Sequence, residues 1–103
     1  MQENNLVFIC SPLRGDYIEN QKRAKGYCRE AIMAGYIPIA PHVYFTQFLD
    51  DTVESERILG IDCGIALLDK CSEIWIYTER GISDGMKTEI EHAKQKGIKL
   101  VWR

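Results

Sequence analysis

Four short apolar runs, separated by stretches of helical spacing, constrain this chain more than any other feature. Leu6-Val7-Phe8-Ile9-Cys10 is continuous and apolar, the pattern of a strand buried on both faces of a parallel sheet. Helical spacing follows from about Ile18 to Ala34 through Ala24, Tyr27, Cys28, Ala31 and Ile32, and Gly35 stops it. Tyr36 to Ala40 reads as the second strand, and Pro38, which cannot donate to a ladder, assigns it to an edge. Pro41 to Phe48 reads as an aromatic loop. From about Thr52 to Asp69, Ile58, Ile61, Ile65 and Leu68 recur at three- and four-residue steps, predicting a second helix. Glu73 to Thr78 is the third strand, Ser83 to Lys96 a helix opened by a Ser83 N-cap and closed by Gly97, and Ile98 to Trp102 the fourth strand. The order β-α-β-α-β-α-β implies an α/β fold: a single-domain, doubly wound sheet of four or five mainly parallel strands with helices on both faces, Rossmann- or flavodoxin-like. A length of 103 residues fits one domain over 1–103.

A net charge of −2 argues against sequence-independent binding to a nucleic-acid polymer, which needs a basic surface. The four cysteines, Cys10, Cys28, Cys63 and Cys71, form no Cys-x-x-Cys pair and lack zinc-ligand spacing. Their apolar contexts point to buried free thiols in a reducing compartment. The polar start Met1-Gln2-Glu3-Asn4-Asn5 lacks the cationic stretch of a leader, and no apolar run reaches membrane-spanning length. The expectation is a cytoplasmic protein with no membrane partner, metal or cofactor.

In such sheets ligands bind beyond the carboxyl ends of the strands, where strand order reverses. Those ends carry Ser11 to Asp16, Pro41 to Phe48, and Glu79 to Gly85. In the first, Gly15 lets backbone approach a ligand closely and Arg14 suits a phosphate or carboxylate; the segment equally reads as a plain βα turn. It is neither a P-loop nor a Gly-x-Gly-x-x-Gly fingerprint. On the last helix, Glu89 falls three residues after Met86 and four before Ala93, bordering the apolar stripe of Met86, Ile90 and Ala93. A carboxylate there needs a reason, and service as a nucleophile or ribose-hydroxyl acceptor in a cleft is one. His42, Tyr44, Phe45 and Phe48 suit stacking on a nucleobase, a hydrophobic plug or a dimer contact. Lys22-Arg23-Ala24-Lys25 and Lys94-Gln95-Lys96 read as solvated helix faces, and Asp50-Asp51-Thr52 with Glu54 and Glu56 as a charged helix start.

Phe8-Ile9-Cys10-Ser11-Pro12-Leu13-Arg14-Gly15, taken with Ser83-x-Gly85-x-x-x-Glu89, resembles the nucleoside 2-deoxyribosyltransferase superfamily. The resemblance is nearest to its deoxynucleoside 5′-monophosphate N-glycosidase branch and to small bacterial and phage relatives. Cys71-Ser72-Glu73-Ile74-Trp75-Ile76 resembles the third strand of the superfamily, where an Asp is usual at the Ser72 position. The resemblance implies hydrolysis or (deoxy)ribosyl transfer at the N-glycosidic bond of a nucleoside or nucleotide, with Glu89 as the nucleophile. It implies binding roles for Arg14 and Gly15 in the first loop and for Ser83 and Gly85 at phosphate-contacting positions; the loop reading adds His42 and Tyr44, and Ser11, Pro12, Leu13 and Met86, next to these positions in the chain, complete the expected substrate-binding set. It also implies a second carboxylate on the helix before the third strand, Asp62 in preference to Asp69. Asp62 lies four residues after Ile58 and three before Ile65, so it too borders an apolar stripe. Phe8 stands where the family often has a Tyr, which favours the alternative of a non-catalytic nucleotide-binding module that senses or sequesters its ligand. A homodimer or higher homo-oligomer is expected on the same grounds.

Overall fold

The computed structural model describes residues 4–103, so the polar start at Met1 to Glu3 lies outside the described residues. The chain runs β1 (Leu6–Cys10), α1 (Tyr17–Met33), β2 (Ile37–Ile39), α2 (Pro41–Tyr44), a 3-10 turn (Phe45–Gln47), α3 (Glu54–Leu68), β3 (Glu73–Ile76), α4 (Asp84–Lys96) and β4 (Lys99–Trp102). The four strands pair in parallel in the order β2-β1-β3-β4. Pro38 pairs with Val7 on the edge strand, where its missing N–H leaves no ladder bond unmade on the open side.

Each face of the sheet has its own core. Phe8, Cys10, Ile74 and Ile76 pack with Leu68, Met86, Ile90 and Ala93 from α3 and α4. Val7, Ile9, Trp75 and Tyr77 pack with Ala31, Tyr27 and Cys28 from α1. The alternation of β1 side chains between these two cores explains why its sequence is continuously apolar rather than alternating. From β1 the chain steps out to β2, then returns past β1 to β3, so strand order reverses between β1 and β3. The crevice beyond the carboxyl ends of those two strands is where this topology places a ligand.

The helix that carries Glu89 is framed at both ends. The Ser83 Oγ accepts from the Met86 N–H at 3.3 Å, and Gly97 closes the helix at φ 71°, a left-handed conformation that suits glycine.

Three expectations change. Pro41 to Phe48 is no irregular loop: Pro41 opens a short helix at its first position, where its fixed φ suits a helical turn, and the 3-10 turn follows. Of the cysteines, all of them free, only Cys10 and Cys71 are buried; Cys28 is half-buried and Cys63 exposed. On α3, Ile58 and Ile61 are 48% and 37% exposed, while Gly64 and Leu68 are buried. The apolar stripe there is a core stripe only in its C-terminal half. Among the described residues, no helix is long and apolar enough to cross a membrane.

Candidate functional site

A cavity of about 340 Å3 opens at the carboxyl ends of the strands. The turn after β1 contributes Ser11, Leu13 and Arg14; α2 and the 3-10 turn contribute Pro41, His42, Phe45 and Thr46; and the following loop contributes Leu49 and Asp51. Glu56, Arg57, Gly60, Ile61 and Gly64 form the α3 wall, and Ser83, Asp84, Gly85, Met86 and Glu89 the α4 wall. The volume lies within the usual range for small-molecule sites.

Glu89 is half-buried on this wall. Burial pushes its carboxyl up from 4.5 to about 7, and the neighbouring Cys10 thiol opposes this in part through a hydrogen bond. Cys10 is fully buried at the end of β1, and its Sγ also points at the Met86 carbonyl, 3.9 Å away. Burial, together with the Glu89 charge, raises that thiol far above its ordinary range, so it stays protonated and acts as a donor.

Opposite, the Ser11 Oγ and the His42 Nε2 are hydrogen-bonded at 2.8 Å. Burial pushes His42 down to about 4, so the ring is neutral at pH 7 and a poor source of protons. The His42 carbonyl accepts from the Gln21 Nε2 at 2.5 Å and from the Thr46 Oγ1 at 2.9 Å, which ties α2 to α1. The turn after β1 is held from behind, where the Asn20 Nδ2 donates to the Leu13 and Arg14 carbonyls. Arg14 reaches across the mouth: its Nε donates to Asp51 Oδ2 at 3.0 Å and its Nη2 to the Asp51 carbonyl at 3.1 Å. At the start of α4, a Cβ added to Gly85 would find Ser83 Oγ as its nearest neighbour, 3.9 Å away. The space there is open to a ligand.

Of the substrate-binding residues read from the sequence, Ser11, Leu13, Arg14, His42, Ser83, Gly85 and Met86 share this cavity with Glu89. Pro12 does not line it; it borders a smaller pocket with Asn20, Arg23, Tyr27 and Tyr77. Gly15 is exposed at the turn. Tyr44 is 63% exposed and packs edge-on against Phe45 and Phe48 rather than facing the cavity. Asp62 is exposed and outside the lining. The cavity face of α3 runs through Glu56 or Arg57, Gly60 or Ile61, and Gly64, and at 3.6 residues per turn position 62 points off that face. Asp69 is also outside, its Oδ1 2.5 Å from the His92 Nε2, a hydrogen bond that holds its carboxyl below the usual range. Phe8 is fully buried in the core beneath α3 and α4, so it offers the cavity no polar atom.

Sequence reasoning missed the α3 wall. A signal was present, since Gly60 and Gly64 stand four residues apart on one helix face and small residues there permit close approach. A Cβ on Gly64 would lie 3.4 Å from the Pro41 Cβ. Among the described residues, no group of three or more His, Cys, Asp and Glu is placed to hold a metal ion.

Residues 5–103 match the model of a family described as a domain of unknown function, DUF7768. The chain belongs to this family. Its fold is similar to the solved structure of the 2-deoxyribosyltransferase from the psychrotolerant bacterium Bacillus psychrosaccharolyticus, with a TM-score of 0.66 and 12% sequence identity. The match covers 94% of this chain and 70% of that one. At such identity the likeness is one of fold: a parallel α/β sheet of deoxyribosyltransferase type. A comparison with curated proteins finds no match.

Proposed function

We propose that this protein cleaves or transfers at the N-glycosidic bond of a nucleoside or nucleoside 5′-monophosphate, with Glu89 as the nucleophile. The observation that carries this reading is the Glu89 carboxyl, half-buried on the cavity wall at the strand-order switch and raised to about 7. The ionised carboxylate attacks the anomeric carbon of the sugar. The C–N bond breaks with its electron pair going to the base, which takes up a proton, and a glycosyl ester forms on Glu89. Water then attacks the same carbon, releasing the sugar and restoring the carboxylate; a second nucleoside base in place of water gives transfer. The protonated Cys10 thiol neighbours the carboxylate and opposes its upward shift, and the apolar wall of Leu13, Phe45, Leu49 and Ile61 suits the face of a base.

The exposed position of Asp62 and the buried Phe8 leave two family-type polar groups out of the cavity, and these favour a second reading, a module that binds a nucleotide and leaves it intact. One experiment separates the two. Pure protein and Glu89→Ala are incubated with ribo- and deoxynucleosides and their 5′-monophosphates, and free base is followed by chromatography. Base release by the wild type, cut by about a hundredfold or more in the variant, is the expected result. Equal, background-level release from both refutes the enzyme, and a nucleotide bound and recovered intact replaces it with the binding module.

The protein is further proposed to act as a homodimer. Tyr44, Phe48, Val53, Ile58 and Leu59 are large apolar side chains left exposed on α2, α3 and the segment between them. A run of such residues along neighbouring segments beside the cavity supports a protein-covered surface there.

A further inference from the structure

A glycine inside a helix costs stability, because it loses more conformational freedom on folding than any other residue. On α3, Gly60 and Gly64 both line the cavity, and packing accounts for one of them. Gly64 is buried, and a Cβ there would lie 3.4 Å from the Pro41 Cβ, so the close seat of α2 favours a residue without a side chain. Gly60 is different. Beyond its chain neighbours and the backbone of its own helix, a Cβ would come within 4 Å of a single atom, Leu49 Cδ1, at 3.6 Å. That is ordinary van der Waals contact, so packing would admit an alanine. Leu49 also lines the cavity, as does Ile61, the next residue along. A side chain at position 60 would therefore grow beside Leu49, along the apolar part of the wall that Leu13, Phe45 and Ile61 complete. What the glycine provides is room, and a bare stretch of backbone that a flat ring can approach closely.

We infer that Gly60 is the size-determining residue of the cavity: the side chain it lacks leaves space for the second ring of a bicyclic base, and position 60 sets the largest ring system the protein accepts. The inference deepens the proposed glycosidic chemistry and rests on it for the ligand being a nucleoside or nucleotide. An apolar wall discriminates by steric fit. Carbon added there removes the volume that a large ring needs and leaves the volume that a small ring needs. In the free protein the effect has the opposite sign, since alanine is the better helix former and finds space. Stability and binding therefore move apart at Gly60. At a glycine required only for packing they would fall together.

The test uses the full chain as wild type, Gly60→Ala, Gly60→Leu and, as a control for helix propensity, Gly26→Ala. Melting temperatures are measured without ligand. Affinities for adenosine and cytidine, their 2′-deoxy forms and their 5′-monophosphates are measured by calorimetry in a Glu89→Gln background, which removes the proposed nucleophile. Base release is followed separately with Glu89 intact. Gly60→Ala should melt higher than the wild type, as Gly26→Ala does, yet weaken the adenine ligands about tenfold while leaving the cytosine ligands within about twofold. Gly60→Leu should weaken the adenine ligands about a hundredfold. Gly26→Ala should leave both sets unchanged. Equal weakening of the two bases, no weakening of either, or a protein that binds no adenine ligand overturns the assignment. So does a Gly60→Ala that melts lower and loses both bases together, which would make Gly60 a packing glycine. Base release by the wild type, with a ring-size discrimination that ignores position 60, keeps the proposed function and removes this inference. Adenine ligands bound and recovered intact, with the Gly60→Ala pattern preserved, remove the proposed function and leave Gly60 setting the size limit of a binding module.

Discussion

Glu89 couples stability to pH. In the unfolded chain its carboxyl titrates near 4.5, and in the folded protein near 7, because burial disfavours the charge. Below about pH 4.5 both states are protonated and the residue is neutral to stability. As pH rises from there to about 7, the unfolded chain loses the proton first, so stability falls through this window and stays lower above it. With one pKa unit equal to about 1.4 kcal/mol, and with discounting for partial exposure, the loss is roughly 1–3 kcal/mol. Glu89→Gln keeps the shape and removes the titration. Urea unfolding should find the variant more stable than the wild type at pH 8, with the gap closing by pH 5; a gap independent of pH would sink this account. In the proposed reaction the same proton must leave before the carboxylate can attack, so that proposal requires the destabilised ionised state. The position of Glu89 was legible in sequence because it borders Met86, Ile90 and Ala93 on its own helix. Its Cys10 partner was not, since the contact joins the end of β1 to α4, and local spacing carries no information about such pairs. Arg57 was hidden for a related reason: among Glu54 and Glu56 it looks like ordinary charge at a helix start, and only tertiary packing brings it to the cavity.

At the scale of elements, what sequence reveals depends on how each element is buried. β1 and β3 lie inside the sheet with both faces covered, and their apolar runs declare them. α2 was read as a loop because a proline and clustered aromatics look irregular, yet Pro41 at a first helical position is compatible with a helix. In α3 the Ile spacing announced a helix correctly but misplaced its buried face, since the same apolar periodicity serves a core in one half and a cavity rim in the other. The helical glycines show how context sets the outcome of a substitution. Gly26 sits in the interior of α1, exposed, and an added Cβ meets nothing within 4 Å. Gly26→Ala should therefore stabilise the protein by about 0.5–1 kcal/mol through helix propensity alone, seen as a higher melting temperature. Ligand behaviour should not change, because Gly26 is remote from the cavity-lining residues. A melting temperature that falls would mean that the α1 surface is covered by something the isolated chain does not contain.

At the scale of the whole molecule, exposed apolar side chains occur on several elements, Ile18, Ile32 and Met33 on α1 among them, and one group adjoins the cavity. Tyr44, Phe48, Val53, Ile58 and Leu59 lie on the elements that wall the cavity, and α3 beyond Arg57 carries a single charged residue, Asp62. A helix apolar on more than its core face is ordinarily covered. A net charge of only −2 offers little long-range repulsion against a second copy doing the covering. A symmetric pair would set equivalent surfaces against each other. Sedimentation equilibrium should then find a dimer at micromolar concentration, and Leu59→Glu should shift it to monomer, since Leu59 is 56% exposed and contributes little to the monomer's own core. Because α2 and α3 also form the cavity, dissociation should loosen its walls, so ligand affinity should fall on dilution in the wild type and be low at all concentrations in the variant. A wild type that stays monomeric across the range would reject the dimer outright. A dimer untouched by Leu59→Glu would move the interface away from α3, and the link between assembly and binding would go with it.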